Sequence, residues 1–184
     1  RASARETTAR VVAGAIAKQI LSERGITINA HVAQIAGIPA DQREQIKQLI
    51  DNVRKEGDSV GGVVEVIIHG LPAGVGEPIF DKLQARLAHA MMSIPAAKGF
   101  EYGKGFEEAT MKGSECNLLR DGIAGGISTG DDICLRVAFK PTPSISRPQP
   151  MQILDENENL TLQTISLKGR FDTCVALRAP VITE

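Results

Sequence analysis

Apolar positions along the chain change their period several times, and each change marks an element boundary. Near the start, Val12, Ile16 and Ile20 recur every four residues among Ala9, Ala13, Ala15 and Ala17, which is the spacing of one helical face. Ser3 with Glu6 three residues later makes a capping box for that helix, and Gly25 suits the position just past its end. The alanines and Gly14 leave little bulk, so a neighbouring helix is expected to approach closely. Ile26, Ile28, Ala30 and Val32 then alternate with polar residues, which predicts a half-buried strand. Gly37-Ile38-Pro39 is expected to break it. Helical spacing returns with Ile46, Leu49, Ile50 and Val53, from about Asp41 to Lys55, and Gly57 ends it.

The β-branched run Val60 to His69 predicts a second strand. Leu71 to Gly76 reads as a turn, and Glu77-Pro78 as a helix start with proline in the first turn. Phe80, Leu83, Leu87, Ala90 and Met91 are the expected core-facing stripe of that helix. Pro95 stops it, and Gly99 to Tyr102 begins another strand. Gly103 to Gly130 is rich in glycine and poor in periodicity. Ile133, Leu135, Val137 and Phe139 alternate as a strand that ends at Lys140. Pro141 to Pro150 holds four prolines, which argues against regular structure. Asp155 to Asn159 is a polar turn, with Leu160, Leu162, Ile165 and Leu167 suggesting strands around it. Helices and strands in this mixture predict an α/β fold of α+β layers.

Composition narrows the classes. A chain of 184 residues with 42% hydrophobic and 23% charged residues suits a single domain, 1–184, with a sizeable core. A net charge of −1 gives no drive toward nucleic acid or an anionic membrane surface, and with no Trp and one Tyr base-stacking platforms are scarce. No apolar run has membrane-spanning length, so neither partner is expected. Cys116, Cys134 and Cys174 are odd in number and widely spaced, which points to reduced thiols and a cytoplasmic location. His31, His69 and His89 share no ligand spacing, so no metal is expected.

Four places could carry chemistry. Arg1 and Arg5 flank a helix start, where free N–H groups favour an anion; the alternative is a capped surface helix with solvated arginines. Gly125-Gly126 would admit a ligand close to the backbone, or is a turn before a strand. In Lys140-Pro141-Thr142-Pro143-Ser144 two prolines fix the backbone, so that the ammonium and both hydroxyls can face one ligand. Arg170 and Asp172 are either a cation and a base, or an Arg–Asp pair holding a loop.

Several stretches in order carry a resemblance. Arg1-Ala-Ser-Ala-Arg-Glu-Thr7 runs into Arg10-Val-Val-Ala-Gly-Ala-Ile-Ala-Lys18. Later come Gly76-Glu-Pro-Ile-Phe-Asp-Lys-Leu83, Ala90-Met-Met-Ser-Ile-Pro-Ala-Ala-Lys-Gly99, Gly125-Gly-Ile-Ser128, Phe139-Lys-Pro-Thr-Pro-Ser-Ile145 and Gly169-Arg-Phe-Asp-Thr-Cys174. Together these resemble chorismate synthase, and the resemblance covers essentially the whole chain.

The resemblance implies a sandwich with helices packed inside and β-sheets outside. It implies 1,4-elimination of phosphate from 5-enolpyruvylshikimate 3-phosphate to give chorismate, with reduced flavin mononucleotide kept reduced by NADPH or another reductant. It implies a homotetramer. Flavin contacts carry over to Arg1, Ala2, Ser3, Pro95, Ala96, Gly125, Lys140, Pro141, Thr142, Pro143, Ser144 and Arg170. Substrate contacts carry over to Arg5 and Arg170, and the catalytic acid is Asp172. In the family the last segment is usually Gly-Arg-His-Asp-Pro-Cys, so Phe171 and Thr173 depart from it. The family also uses Asn at position 95. Its two catalytic histidines lie in N-terminal motifs that have no match here, and that role is not transferred to His31, His69 or His89. The chain therefore reads as the C-terminal larger part of such a protein, with family residues absent near 41 and between 116 and 124. Two other classes stay open, a flavin- or phosphate-binding module without turnover and a non-catalytic fragment.

Overall fold

The alternating stretch Gly62–His69 forms the middle of a five-stranded sheet in the computed structural model, which describes residues 4–155 and 158–184. In chain order the elements begin with helix α1 (Thr7–Ser22), strand β1 (Thr27–Ile35), the two-residue β2 (Ile38–Pro39), α2 (Arg43–Lys55) and β3 (Gly62–His69). Next come α3 (Leu83–Met92), β4 (Ala97–Tyr102), a single turn α4 (Gly113–Cys116) and the small hairpin β5 (Ile123–Ala124) and β6 (Ile127–Ser128). Strand β7 (Ile133–Phe139), the hairpin β8 (Gln149–Leu154) and β9 (Leu160–Ile165), and the short α5 (Pro180–Thr183) complete the order. The main sheet runs β2-β1-β3-β7-β4 with every neighbouring pair antiparallel. This is the mixed helix-and-sheet architecture that the patterning implied.

One face of the sheet is apolar and the other polar, because side chains alternate along each strand. Val64, Val66 and Ile68 of β3, with Ile133, Leu135, Val137 and Phe139 of β7, are buried. Each such side chain contributes roughly 1.5–3 kcal/mol on leaving water. Met91, Ile94, Ala176 and Ala179 pack onto this face, with Leu21, Leu83 and Leu87 partly buried beside them, so α1, α3 and α5 lie on one side. On the other side His31, Glu65, Arg136 and Glu101 stand in register across four strands. His31 lies 3.4 Å from Glu65, and Arg136 lies 3.0 Å from Glu101. That row of alternating charge is stable facing water and would be costly under a second apolar layer.

β1 ends at Ile35, so the break expected at Gly37-Ile38-Pro39 is present, but Ile38 and Pro39 return as β2. Ala36 and Gly37 take φ of 47° and 84°, the two positive values of a tight hairpin turn, and Ile38 pairs back on Ile35. The helix expected from Glu77 starts only at Leu83, so Phe80 sits in a loop at 90% exposure rather than in the core. The periodic stripe Val12, Ile16, Ile20 is 59%, 58% and 52% exposed. The face of α1 that packs inward carries Val11, Gly14, Lys18 and Leu21, where Lys18 pairs with Glu184 at 3.2 Å beside α5. Pro150 also falls inside β8, which is an edge strand that tolerates it.

Candidate functional site

The site grows from the ends of β4 and β7. Phe139 pairs with Ala97, and just beyond that pair the Lys140 N–H donates to the Ala96 carbonyl at 3.0 Å. Ala96 holds φ at 71°, a left-handed conformation that costs a residue with a side chain free energy and that concentrates at ligand sites. Pro95 and Ala96 are half-buried. Lys140 is half-buried too, and its ammonium has no hydrogen-bond or ion-pair partner among the described residues. Two residues on, the Thr142 hydroxyl is buried and unpartnered. Pro141 and Pro143 are exposed and Ser144 is half-buried. A buried hydroxyl without a partner is expensive, so this segment is built to donate to something.

The start of α1 comes to the same place. Arg10 donates from Nη1 to the Ser93 hydroxyl at 2.6 Å, and that hydroxyl donates on to the Ala90 carbonyl at 2.6 Å. The first turns of α1 therefore lie beside Ile94 to Ala96. Arg5 sits in a 3₁₀ turn, Ala4–Glu6, and is exposed. Glu6 makes no side-chain cap to α1; its carboxylate lies 3.3 Å from Arg10 instead. Arg1, Ala2 and Ser3, and with them the other half of the expected capping box, fall outside the described residues.

Arg170 and Asp172 flank a cleft of about 850 Å³ shared with Arg54, Asp58, Ser146, Phe171 and Arg178. Asp172 pairs with Arg178 at 2.9 Å, not with Arg170, which has no partner among the described residues. So Arg170 is free to meet an anion. The Thr173 carbonyl accepts from the Val60 N–H at 2.8 Å, and the Thr142 carbonyl accepts from the Ser59 hydroxyl at 2.7 Å. Adjacent residues of one segment thus hold the lysine segment and the arginine loop side by side.

Gly125 does not join this group. It turns the β5–β6 hairpin with φ of 60°, and a Cβ there would meet nothing within 4 Å. Next to it the Gly126 carbonyl accepts from the N–H of Leu83, the first residue of α3. Pro95 and Ala96 follow the other end of that helix, about 15 Å away for ten residues at 1.5 Å each.

The remaining titratable groups do other work. His69 meets Asp132 at 2.8 Å on the polar face and His89 is exposed on α3. Among the described residues no cluster of His, Cys, Asp and Glu could hold a metal ion. Burial, then the neighbouring Glu65 carboxylate, pushes the Cys134 thiol from 9.0 up to about 11. Burial likewise pushes Cys174 up. Such thiols are poor nucleophiles. No helix among the described residues is long and apolar enough to cross a membrane.

Sequence reasoning missed Arg10, Ser93, Ser59, Arg54 and Arg178. The one available signal was Gly57-Asp58-Ser59, a polar turn between helix and strand that was read only as a helix stop. What the residues can do is bind a phosphorylated, multiply anionic ligand. The Lys140 ammonium and the Thr142 hydroxyl lie on one segment and the Arg170 guanidinium on the loop held beside it, and these are donors that suit phosphate oxygens.

Known proteins resemble the chain along its whole length. A family profile described as chorismate synthase matches residues 1–184. The chorismate synthase of Methanosarcina mazei is 46% identical over 220 residues, an alignment that takes in 100% of this chain and 60% of the relative. That of Acetivibrio thermocellus is 45% identical over 202 residues, covering 89% of this chain and 51% of the relative. A crystal structure of chorismate synthase superposes with a TM-score of 0.73 at 36% identity, over 78% of this chain and 57% of that one. The chain thus spans about 60% of the length of curated relatives it matches. The Methanosarcina mazei alignment is also longer than the chain's own 184 residues.

Proposed function

The chain belongs to the chorismate synthase family, and from that premise we propose that it carries the flavin and phosphate side of a chorismate synthase. The proposed reaction takes 5-enolpyruvylshikimate 3-phosphate to chorismate. Phosphate leaves with the electrons of its C–O bond, a proton leaves from C6, and a second ring double bond forms, so the sum needs no oxidant. Lys140, Thr142 and Ser144 are the residues to hold the phosphate of flavin mononucleotide, with Pro95, Ala96 and Arg170 beside it. Reduced flavin, when bound, supplies electron density that eases departure of the phosphate. NADPH or another reductant keeps it reduced.

In this reading Arg5 and Arg170 bind the anionic groups of the substrate, and their fixed positive charge stabilises the leaving phosphate as charge builds on it. Asp172 holds or accepts a proton, with Arg178 fixing its orientation at 2.9 Å. Family residues near 41 and 116–124 are either trimmed from this protein or missing from the sequence, and an alignment of 220 residues, longer than the chain, fits both. A homotetramer in the cytoplasm completes the proposal.

The observation that carries the reading is the orphan Thr142 hydroxyl on the same five-residue segment as a partnerless Lys140 ammonium. Both fit a bound phosphate and neither fits a purely structural strap. Titrating flavin mononucleotide into the chain and into Lys140→Ala tests it. Losing one charge-assisted contact costs roughly 1.5–3 kcal/mol, about a tenfold to hundredfold loss of affinity. Equal affinities would remove Lys140 from the site. Flavin binding without phosphate release from the substrate would favour a binding module over an enzyme.

A further inference from the structure

We propose that Ser59 is a positioning residue for the flavin segment, acting through the Thr142 carbonyl. This inference rests on the flavin reading above. Ser59 lies in Gly57–Gly61, the link between α2 and β3, and that link touches both halves of the site. The Gly57 carbonyl accepts from the N–H groups of Ser146 at 2.9 Å and Arg147 at 3.1 Å. The Ser59 hydroxyl donates to the Thr142 carbonyl at 2.7 Å. Gly61 lies so close to the Phe139 carbonyl and Pro141 that a Cβ there would collide with them. On its other side the same link holds the Asp172 loop, through Val60 N–H to the Thr173 carbonyl at 2.8 Å.

The chemistry of the segment makes Ser59 the sensitive point. Pro141 and Pro143 have no N–H to offer, so Lys140 to Ser144 has few backbone donors with which to anchor itself. Residues 140–144 are held at their start by Lys140 N–H on Ala96 and beyond their end by Ser146 on Gly57. Between those anchors, the bond to Ser59 tethers the Thr142 main chain. That tether holds in place the residue whose hydroxyl is buried and unpartnered among the described residues. Ser59 itself is half-buried, and its N–H is satisfied by Asp58 at 2.8 Å. Its hydroxyl is therefore committed to the segment and need not touch a ligand.

The test measures flavin mononucleotide affinity by titration in the parent chain, Ser59→Ala and Ser59→Thr. Ser59→Ala removes the hydroxyl and should weaken binding roughly five- to tenfold, the size of one net hydrogen bond. Ser59→Thr keeps a hydroxyl on the same carbon and should bind within about twofold of the parent. A residue that only stabilised the fold would shift the melting temperature of unliganded protein and leave affinity alone. Parent-like affinity in Ser59→Ala overturns the proposal, and so does a Ser59→Thr that binds as weakly as Ser59→Ala. A parent chain that binds no flavin would instead bring down the flavin reading, and this inference with it.

Discussion

Asp172 is the residue whose role depends most on its neighbour. It pairs with Arg178 across 2.9 Å while Arg170, two residues before it, stays free. If the carboxylate handles a proton, Asp172→Asn keeps shape and removes that capacity. It should then lower kcat by roughly 10²–10⁴-fold with flavin affinity and melting temperature nearly intact. A brace for Arg178 would show the reverse, with lower melting temperature and kcat spared. Arg5→Lys tests the other end of the site. Its charge is kept but the two-pronged fork is lost, so kcat/KM should fall, and parity with the parent would leave Arg5 a structural place at the helix start. The thiols give a pH prediction. Cys134 is held from 9.0 up to about 11 by burial and Glu65, so the folded state prefers the neutral thiol. That preference is fully present below the ordinary value and is lost as pH rises through about 11, because unfolded chains ionise first. Urea midpoints between pH 9 and 11 should fall more steeply in the parent than in Cys134→Ser, and identical slopes would refute the assignment.

At the scale of elements, β3 and β7 hold the fold together. Leu135 is fully buried at the centre of their shared face, and Leu135→Ala should cost about 2–5 kcal/mol in chemical unfolding. A loss under about 1 kcal/mol would mean that the layer beneath collapses into the gap. These strands were the most legible part of the sequence, β3 through its run of β-branched residues and β7 through the alternation of Ile133, Leu135, Val137 and Phe139. The same logic failed at Phe80 and in α1. A four-residue period marks an apolar helical face but not what covers it, so Val12, Ile16 and Ile20 were legible as a stripe and their exposure was not. Phe80 followed a proline that suits a helix start, yet the chain spends Glu77 to Lys82 on a loop tied by a Glu77–Asp81 bridge. The candidate site was legible only where proline, glycine and charge coincide, at Lys140–Ser144 and Arg170–Asp172. Ser59 and Ser93 act through tertiary pairing 83 residues away, and Arg178 pairs across a loop, so no local pattern marks such residues.

The whole molecule divides into a packed body and a projecting arm. Strands β8 and β9 pair with each other, and the Ser166 hydroxyl on the Ser146 carbonyl at 2.6 Å is a tie back to the body. Leu154, Leu160 and Leu162 remain exposed, and a lone two-stranded hairpin is marginal in water. Amide hydrogen exchange should therefore be fastest across β8 and β9 and slowest in β3 and β7; equal protection would mean that another chain covers the arm. The sheet order has a consequence for the protein as it is made. A ribosome delivers β3 long before its central neighbour β7. At about 5–20 residues per second, the stretch from His69 to Ile133 takes several seconds to emerge. Throughout that interval the nascent chain carries one unpaired side of its most apolar strand, the kind of surface that folding helpers shield and that other nascent chains capture. Gly57–Gly61 meanwhile holds the Ala36 N–H through the Gly61 carbonyl at 3.0 Å, but its partners at Thr142 and Thr173 have yet to leave the exit tunnel. The candidate site is thus among the last parts to be completed, and a premature stop between β7 and Thr173 would remove both its arginine loop and the Ala176 and Ala179 that pack onto the sheet.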